Sequence, residues 1–458
     1  MATNYMKLLQ KISGIVARLG KDGAGEIDRP EGKPLRVYGT IPGETIAGTT
    51  TKRGPDGIRT RLDEVTNTSP DRITPRCPYA GTCGGCKWQH ISYERQLQEK
   101  IDRLTRTFSD ANIALPALTT VAAPDIFFYR NRMDFVFGRN GELGLKEPDR
   151  WWSVLDLQSC FLLSPESVEI VNKVRDWAKG TGLAFWNTKT QLGFFRYLVI
   201  REGKNTGERM VTLVTTKDTD EQGAKVREIV DVIGPRATSI VWGINDRLTD
   251  LSVSDEVIPL RGDPWIHETI NGMQYKIRPN SFFQTNSTMA AKLQDAVREA
   301  CGDLQNKVLL DLCCGSGFFA VAFANKAQRV IGVEIDADAI ISAEENATLN
   351  KAQAEFHATP AETFDWSTIA PDVAIVDPPR GGLHPDVIDT LLDKRPPRVV
   401  YVSCSYDRFL KEWLGYDGHT GLSEGYELVD VKALDLFPHT PHIEVVITLN
   451  KKVVGREK

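Results

Sequence analysis

The 458-residue sequence predicts an α/β protein whose C-terminal part forms a Rossmann-like parallel sheet. The first observation is an apolar run at 307–312 that leads through a glycine turn into a helix-forming run at 318–327. The second is another apolar run, 329–335, which carries Glu334 about 20 residues after the turn. The third is a pair of apolar runs, 374–376 and 398–403, each followed by polar residues. Ligands bind at the carboxyl edge of such sheets, so we expect the functional site there.

The glycine turn indicates which ligand this sheet takes. Glu334 is placed to accept hydrogen bonds from both hydroxyls of a ribose. The turn sequence, CGSGFF at 314–319, lacks the third glycine of the pyrophosphate-binding fingerprint, so an adenosine without a pyrophosphate fits better than a nicotinamide dinucleotide. A purely structural turn is the alternative. The pattern resembles that of S-adenosylmethionine-dependent methyltransferases, which implies cofactor contacts at Cys313, Gly315, Phe318 and Glu334.

Length and composition indicate two to four globular domains. No apolar run reaches the roughly 18 residues that a membrane span needs, and the N-terminus lacks a signal-peptide core, so we expect a cytoplasmic monomer with no membrane partner. The net charge is −5, but residues 1–110 hold 18 Lys and Arg against 13 Asp and Glu. The front of the chain is therefore the better candidate for a nucleic-acid-binding face, with an ordinary fluctuation of surface charge as the alternative.

Residues 11–66 alternate short β-like runs with turns, which predicts a small barrel of the OB-like kind. Within this segment, the GTIPGE sequence at 39–44 resembles the central signature of the TRAM domain, a small barrel that grips RNA. The resemblance implies an RNA-binding module at 1–66. A barrel that binds another protein is the alternative.

Three cysteines lie within ten residues, at Cys77, Cys83 and Cys86. In a reducing compartment such a group points to a metal centre and not to disulfides. Intervening glycines let the backbone wrap closely around a metal. The spacing alone leaves zinc and iron-sulfur both possible, and the fourth ligand is either Cys160 or, for zinc, His90.

Residues 120–268 carry a mixed pattern, with strand-like runs at 127–137, 197–200 and 210–214 and a helical run at 165–179. This predicts a central α+β domain. Its first strand interleaves aromatic residues with Arg130 and Arg132, which suits a surface that stacks RNA bases. Burial in a core is the alternative, and it is the more frequent fate of aromatic strands.

Three reactive side chains belong to strands of the predicted sheet. Asp377 follows the run at 374–376, and Cys404 follows the run at 398–403, where a thiol is placed to act as a nucleophile. Glu444 lies between apolar residues of a late β run, where burying a carboxylate is unfavourable unless it is paired or functional. The alternatives are a turn acid, an inert core cysteine and a paired structural glutamate.

These motifs together resemble the RNA 5-methyluridine methyltransferase family over nearly the whole chain. The resemblance is carried by CPYAGTCGGCKWQ at 77–89, SFFQTN at 281–286, DLCCGSG at 311–317, GVEID at 332–336, DPPR at 377–380, SCS at 403–405 and HIE at 442–444. It implies that a 4Fe-4S cluster is bound by Cys77, Cys83, Cys86 and Cys160. It also implies cofactor contacts at Gln284 and Asp377. The chain departs from the family at Cys313, usually aromatic, at Phe318, usually Asn, and after DPPR, where Gly381 and Gly382 follow instead of a basic or other residue.

The resemblance implies S-adenosylmethionine-dependent methylation of uracil C5 in RNA. Uracil C5 is not nucleophilic enough to take a methyl group directly, so the Cys404 thiolate would add at C6 and activate C5. Glu444 would then remove the C5 proton as a general base, and Asp377 would orient the pyrimidine edge of a uridine splayed out of its stack. The predicted organisation is a TRAM barrel at 1–66, an iron-sulfur segment and central α+β domain at 67–270, and a catalytic domain at 271–458.

The predicted substrate is 23S rRNA of the large ribosomal subunit, which the barrel and cluster favour. A T-loop uridine of tRNA is the alternative substrate. A non-catalytic RNA-binding assembly factor is an alternative from another class, and the presence of both Cys404 and Glu444 argues against it. A cytosine methyltransferase would also use a thiol, but it usually pairs that thiol with a different acid motif from HIE.

Overall fold

The computed structural model describes residues 8–148, 150–217 and 219–453. Strands β1 to β24 are, in chain order, Lys11–Ile15, Arg18–Leu19, Gly25–Ile27, Leu35–Val37, Thr45–Gly54, Gly57–Asn67, Leu118–Val121, Arg132–Phe137, Leu143–Gly144, Lys146–Glu147, Arg150–Val154, Phe195–Glu202, Arg209–Thr215, Ser239–Ile244, Glu256–Arg261, Ile266–Ile270, Met273–Ile277, Val308–Leu312, Arg329–Glu334, Glu355–Ala358, Val373–Val376, Arg398–Ser403, Tyr426–Leu434 and Glu444–Lys451. Helices α1 to α9 are Tyr93–Asp110, Pro165–Gly180, Asp220–Arg227, Ile229–Ile233, Ser287–Cys301, Phe318–Phe323, Ala337–Leu349, Pro385–Lys394 and Tyr406–Leu414.

The C-terminal sheet has eight strands in the order β20-β19-β18-β21-β22-β24-β23-β7. Its first five strands are parallel, whereas β24 runs antiparallel to both β22 and β23. Strand β18 is buried on both faces: Leu309 belongs to the core on one side, and Leu310 and Leu312 belong to the core on the other. The chain leaves β18 in one direction towards β20 and returns to its other side at β21, which makes β18 the topological switch point. The predicted α/β class is confirmed.

The N-terminal segment forms a separate six-stranded sheet, in the order β1-β5-β6-β4-β3-β2, over the residues where short strands are predicted. Its small core contains Val16, Val37 and Ile46. The fully buried carboxylate of Glu44 accepts two hydrogen bonds from the Arg72 guanidinium, at 2.6 and 2.7 Å. This pairing ties the sheet to the cysteine-rich segment that follows it.

The central sheet has the order β15-β14-β13-β12-β8-β9, with β13 and β14 parallel and the other pairs antiparallel. Tyr129, Phe135 and Phe137 are buried in its core with Leu198 and Val171 of helix α2. The aromatic strand is therefore core, as is most frequent for such strands, and does not offer these rings to RNA.

Two elements of the predicted 67–270 segment pack on the C-terminal sheet. Strand β7 adds to its edge by parallel pairing with β23. Leu104 and Phe108 of helix α1 share a core with Leu310 of β18. The predicted domain boundaries remain predictions, but tertiary packing places residues 93–121 with the C-terminal sheet. No helix in the described ranges combines the length and apolarity that a membrane crossing needs.

Candidate active site at the edge of the C-terminal sheet

The glycine turn after β18 leaves its backbone open to a ligand. Cys313, Gly315 and Gly317 all have left-handed backbones, with φ of 62°, 52° and 79°. Such a φ is strained for a residue with a Cβ, so Cys313 is a local outlier at the functional edge. A Cβ on Gly315 would meet no protein atom within 4 Å, whereas one on Gly317 would lie 3.0 Å from Val321. Gly315 therefore allows a ligand to approach the backbone closely.

Glu334, the last residue of β19, is held in place by the same turn. Its Oε2 accepts a hydrogen bond from the Gly315 N–H at 3.1 Å, and its Oε1 accepts one from the Asp336 N–H at 3.0 Å. A carboxylate oxygen can accept more than one hydrogen bond, so both oxygens retain capacity for two hydroxyl donors. This geometry suits the ribose role expected of Glu334.

Asp311 is a functional candidate that the sequence analysis did not single out. It is fully buried in β18; its Oδ2 accepts the Ala320 N–H at 2.9 Å, while its Oδ1 has no hydrogen-bond partner among the described residues. Burial raises the pKa of this carboxyl well above its ordinary range. Burial likewise raises the pKa of Asp377 to about 7. With Glu334, three carboxyl groups lie near this edge of the sheet.

Gln284 lies in the segment that precedes helix α5. Asn286 caps that helix, accepting the Met289 N–H at 3.1 Å, so the cap interpretation holds for Asn286. The side-chain amide of Gln284 makes no hydrogen bond with the residues that the structure describes, which leaves it available to a ligand. The adjacent Phe283 ring contacts the Phe318 ring with centroids 5.9 Å apart, which places this segment against the glycine turn.

Two of the departures from the family pattern, Phe318 and Cys313, change the side chains beside the glycine turn. Phe318 is only 8% exposed, and its ring packs against Tyr275 and Phe319. Its carbonyl oxygen accepts hydrogen bonds from Tyr275 Oη and from Gln294, each at 3.0 Å. Burial and the nearby Glu334 raise the pKa of Cys313 to about 12, so its thiol is neutral. Both positions therefore present apolar surface in this chain.

Cys404 and Glu444 meet because β22 and β24 are antiparallel neighbours. Ser403 pairs with Val445 at the end of the two strands, and one further step along this register sets Cys404 opposite Glu444. Burial, then the Glu444 carboxyl, raise the pKa of the half-buried Cys404 thiol. Burial, then Asp377, raise the pKa of Glu444 well above its ordinary range. The structure thus brings Asp377, Cys404 and Glu444 to one place.

Arg380 is the cation of this group, and the sequence analysis quoted it in the DPPR motif without assigning it a role. Its positive charge lowers the pKa of the Cys404 thiol, against the larger effect of burial. It also lowers the pKa of Glu444. The signal in the sequence was the position of Arg380, three residues after Asp377 at the end of a strand.

The cysteines of the second predicted site are also brought together. Cys77, Cys83, Cys86 and Cys160 line one cavity, closed by apolar neighbours such as Leu145. Burial raises the pKa of all four thiols, and neighbouring cysteines add to the rise at Cys83, Cys86 and Cys160. In the described part of the chain, no three His, Cys, Asp or Glu side chains are close enough to hold one metal ion.

Two residues beside these cysteines have distinct positions. His90 points away from the cavity, with Nε2 3.4 Å from the Thr40 carbonyl oxygen, so it does not complete the group of four. Gln89, which the sequence analysis did not single out, accepts the Cys77 N–H at 3.1 Å. It therefore helps to orient the backbone of one of the four cysteines.

The parallel sheet, the open glycine turn and the ribose-placed acid define an S-adenosylmethionine-dependent methyltransferase. The crystal structure of a Pyrococcus abyssi tRNA (uracil-54, C5)-methyltransferase with S-adenosyl-L-homocysteine matches this fold with a TM-score of 0.79 and 30% identity, covering 95% of this chain and 99% of that one. The unpaired Asp311 Oδ1 and the Glu334 carboxylate at the glycine turn offer hydrogen-bonding groups to the cofactor. The predicted cofactor is thus supported by both the site and this relative.

Sequence comparison names the family. A model described as tRNA (Uracil-5-)-methyltransferase matches residues 92–367 and 362–452. A tRNA (uracil(54)-C(5))-methyltransferase of Pyrococcus furiosus is 33% identical over 440 residues, which cover 96% of this chain and 100% of that protein. An uncharacterized RNA methyltransferase of Nanoarchaeum equitans is 34% identical over 423 residues, covering 92% and 90%. The chain belongs to the tRNA (uracil-5-)-methyltransferase family and is an RNA uracil-C5 methyltransferase that uses S-adenosylmethionine.

Proposed function

We propose that this enzyme methylates C5 of a T-loop uridine in tRNA. The observation that carries the proposal is end-to-end similarity to enzymes named for uracil 54 of tRNA, over 100% of the Pyrococcus furiosus protein and 99% of the Pyrococcus abyssi chain. The sequence analysis favoured 23S rRNA because of the N-terminal barrel and the cysteine group. Since the similarity extends through those segments in tRNA enzymes, their presence does not favour rRNA.

The chemistry we propose uses Cys404 as the nucleophile. Its thiolate sulfur forms a bond to uracil C6, and the electrons of the C5–C6 double bond move towards the C4 carbonyl oxygen, so C5 becomes nucleophilic. S-adenosylmethionine supplies the methyl group that C5 takes. Arg380 stabilises the thiolate form of Cys404 through its positive charge.

Glu444 completes the reaction as the general base. It takes the proton from the methylated C5, the C5–C6 double bond forms again, and the Cys404–C6 bond breaks to release the product. Burial suits this role, because a raised pKa makes the carboxylate a stronger base than an exposed glutamate. Asp377, with a pKa of about 7, lies beside both residues and holds the pyrimidine edge.

The substrate and the thiol are tested together. Purified enzyme is incubated with S-adenosylmethionine and either a T-arm RNA or a large-subunit rRNA fragment, and 5-methyluridine is located by mass spectrometry. We expect methylation of the T-arm, none with Cys404→Ala, and near-normal turnover with Cys301→Ala, a buried cysteine at the end of α5. Methylation of the rRNA fragment alone would overturn the tRNA proposal. Normal turnover by Cys404→Ala would overturn the covalent chemistry.

We further propose that Cys77, Cys83, Cys86 and Cys160 bind a 4Fe-4S cluster. Four thiols around one cavity supply the ligands that such a cluster needs. A single zinc ion at about 2.3 Å from each sulfur would need the sulfurs roughly 4 Å apart. The resemblance to the cluster-binding family at 77–89 supports iron-sulfur over zinc. The metal content of the purified protein tests this assignment.

We propose that the N-terminal sheet is a TRAM domain that binds the RNA substrate. Its Lys21–Gly23 loop lies close to the catalytic edge: the Gly23 carbonyl accepts the Trp88 Nε1–H at 3.0 Å, and a Cβ on Gly23 would lie 3.4 Å from Pro441. Pro441 is three residues before Glu444 in the sequence. An RNA held by this sheet would therefore have a short path to the reactive residues.

A further inference from the structure

The segment Phe127–Asn131, which precedes strand β8, lies between the cysteine group and the catalytic edge. Tyr129 and Asn131 are buried, at 5% and 4% exposure, so neither is available to RNA. The hydrogen bonds of both side chains run towards the C-terminal sheet. Their partners are two different loops of that sheet.

Asn131 holds the loop that carries Gln284. Its Nδ2 donates to the Gln284 carbonyl oxygen at 2.8 Å and to Ser287 Oγ at 2.9 Å. Its backbone N–H donates to the Thr285 carbonyl oxygen at 2.8 Å. Three hydrogen bonds from one residue fix three positions of this loop, so the direction of the Gln284 side chain depends on Asn131.

Tyr129 holds the loop that leads into Glu444. Its Oη donates to the Pro438 carbonyl oxygen at 3.1 Å. The neighbouring Phe127 ring contacts the His439 ring, with centroids 4.6 Å apart. His439 has a left-handed backbone, with φ of 64°, which a residue with a Cβ adopts only where its surroundings enforce it. The segment 127–129 supplies part of that enforcement.

The cysteine-rich segment also hydrogen-bonds to the loop that leads into Glu444. The backbone N–H groups of Lys87 and Trp88, which directly follow Cys86, donate to the His439 carbonyl oxygen at 2.8 and 3.0 Å. The backbone of segment 127–131 is in turn hydrogen-bonded to residues beside Cys160, with the Phe128 N–H on the Phe161 carbonyl oxygen at 2.8 Å. The loop before Glu444 is thus clamped between two segments that both adjoin the cysteine group.

We propose that Tyr129 and Asn131 are positioning residues for catalysis, Tyr129 acting through the loop that leads to Glu444 and Asn131 acting through the loop of Gln284. The proposal rests on the roles proposed above for Glu444 and Gln284. It makes the two effects separable: Tyr129 sets the proton-transfer step, and Asn131 sets cofactor affinity. A purely structural role would instead give both variants the same general loss of stability.

The test compares Tyr129→Phe with Asn131→Ala. Tyr129→Phe removes only the hydroxyl and keeps the ring. We expect it to lower kcat about tenfold, the effect of one lost hydrogen bond, with the dissociation constant for S-adenosylhomocysteine unchanged. Its covalent RNA adduct should accumulate, as in Glu444→Gln, because proton removal from C5 is the slowed step. Asn131→Ala should instead raise the dissociation constant for S-adenosylhomocysteine about tenfold in calorimetry.

Matched controls come from the same central sheet. Tyr197→Phe removes a hydroxyl that donates to Asp250 at 2.7 Å, and Asn245→Ala removes a buried amide that bonds to Leu251 and Val253. Both controls should leave adduct level and affinity unchanged after correction for folded fraction. If Tyr129→Phe and Asn131→Ala behave like their controls, the proposal is overturned. Normal turnover by Glu444→Gln would show that Glu444 is not the general base. The affinity of Asn131→Ala for S-adenosylhomocysteine does not depend on that assignment, so it tests the role of Asn131 separately.

Discussion

At the scale of single residues, the reactivity of Cys404 is set by opposing neighbours. Burial and the Glu444 carboxyl favour the neutral thiol, while Arg380 favours the thiolate. The net result is a pKa above the ordinary value, so most of the enzyme holds a thiol at neutral pH. In the proposed chemistry only the thiolate adds to uracil, so Arg380 is the group that keeps the reaction accessible near neutral pH.

This balance predicts a pH dependence. The rate constant for a single turnover should rise about tenfold per pH unit between roughly pH 6 and pH 8 and level off above the thiol pKa. Arg380→Gln removes the cation that lowers this pKa, so the pKa rises further and the plateau moves to higher pH. Because each rise of about one unit in the thiol pKa leaves about tenfold less thiolate at pH 7, the variant should be slower there by the same factor.

The control for this profile is Arg329→Gln. Arg329 pairs with Glu355 at the start of β19, on the opposite edge of the sheet, and its loss should leave the pH profile in place. The Arg380→Gln variant could instead keep the wild-type midpoint of the pH–rate profile and show only a lower plateau. That result would contradict the role given to Arg380, because it would show that the arginine acts on RNA binding or on another step.

At the scale of elements, the cysteine segment illustrates how short-range and long-range information differ. Cys77, Cys83 and Cys86 lie within ten residues, and their spacing alone predicts a metal centre. The choice of the fourth ligand depends on folding: Cys160 lines the same cavity, whereas His90 faces the carbonyl of Thr40. Cys160 belongs to the central part of the chain, so a cluster would join two segments that are far apart in the sequence.

This arrangement predicts the outcome of metal analysis. Protein purified without oxygen should contain iron and sulfide in the ratio of one 4Fe-4S cluster per chain, with no zinc. Cys160→Ser should lose most of the iron, because a hydroxyl is a poor ligand for iron-sulfur clusters, and Cys301→Ala should retain it. A full complement of zinc without iron would contradict the assignment, as would unchanged iron in Cys160→Ser.

For the predicted aromatic strand at 127–137, by contrast, the local sequence pattern did not decide between two interpretations. Its alternation of rings and arginines is compatible with an RNA surface and with a core, and periodicity does not distinguish them. Burial of Tyr129 and Asn131 against loops of another sheet decides for the core. Their partners lie 309 and 153 residues away in the sequence, so no local pattern could have assigned these contacts.

At the scale of the whole molecule, the charge of the chain and its architecture point to the same RNA path. The excess of positive charge lies in residues 1–110, and the N-terminal sheet approaches the loop before Glu444 through Lys21–Gly23. Lys52 and Arg53 lie on the exposed end of the β5–β6 hairpin. Basic side chains there would add to RNA affinity through phosphate contacts, without touching the chemistry.

The prediction concerns the double variant Lys52→Glu and Arg53→Glu. It should raise KM for RNA and reduce the slope of log affinity against log salt by about one to two, with kcat and the affinity for S-adenosylhomocysteine unchanged. Binding is measured over a salt series with a T-arm RNA. Lys326 follows helix α6 at the amino edge of the sheet, so the control variant Lys326→Glu should change neither KM for RNA nor the salt slope. An unchanged salt slope in the double variant would remove the N-terminal sheet from the RNA interface.

The α/β class, the family, S-adenosylmethionine as cofactor and the methylation of uracil C5 could all be predicted from the amino-acid sequence. This was possible because the relevant information is local: a strand, a glycine turn and a helix occupy some twenty consecutive residues, and each reactive side chain immediately follows or begins an apolar strand. Parallel strands place their carboxyl ends at one edge, so these separate motifs could be predicted to converge.

The residues that support this site became visible only in the folded chain. Arg380 beside Cys404, Asp311 with an unpaired oxygen, Tyr129 on the loop before Glu444 and Asn131 on the loop of Gln284 all depend on contacts between distant segments. The tertiary structure likewise placed helix α1 and strand β7 on the C-terminal sheet. The physical reason is that packing and buried hydrogen bonds join whichever segments the fold brings together, and sequence spacing does not encode those pairings.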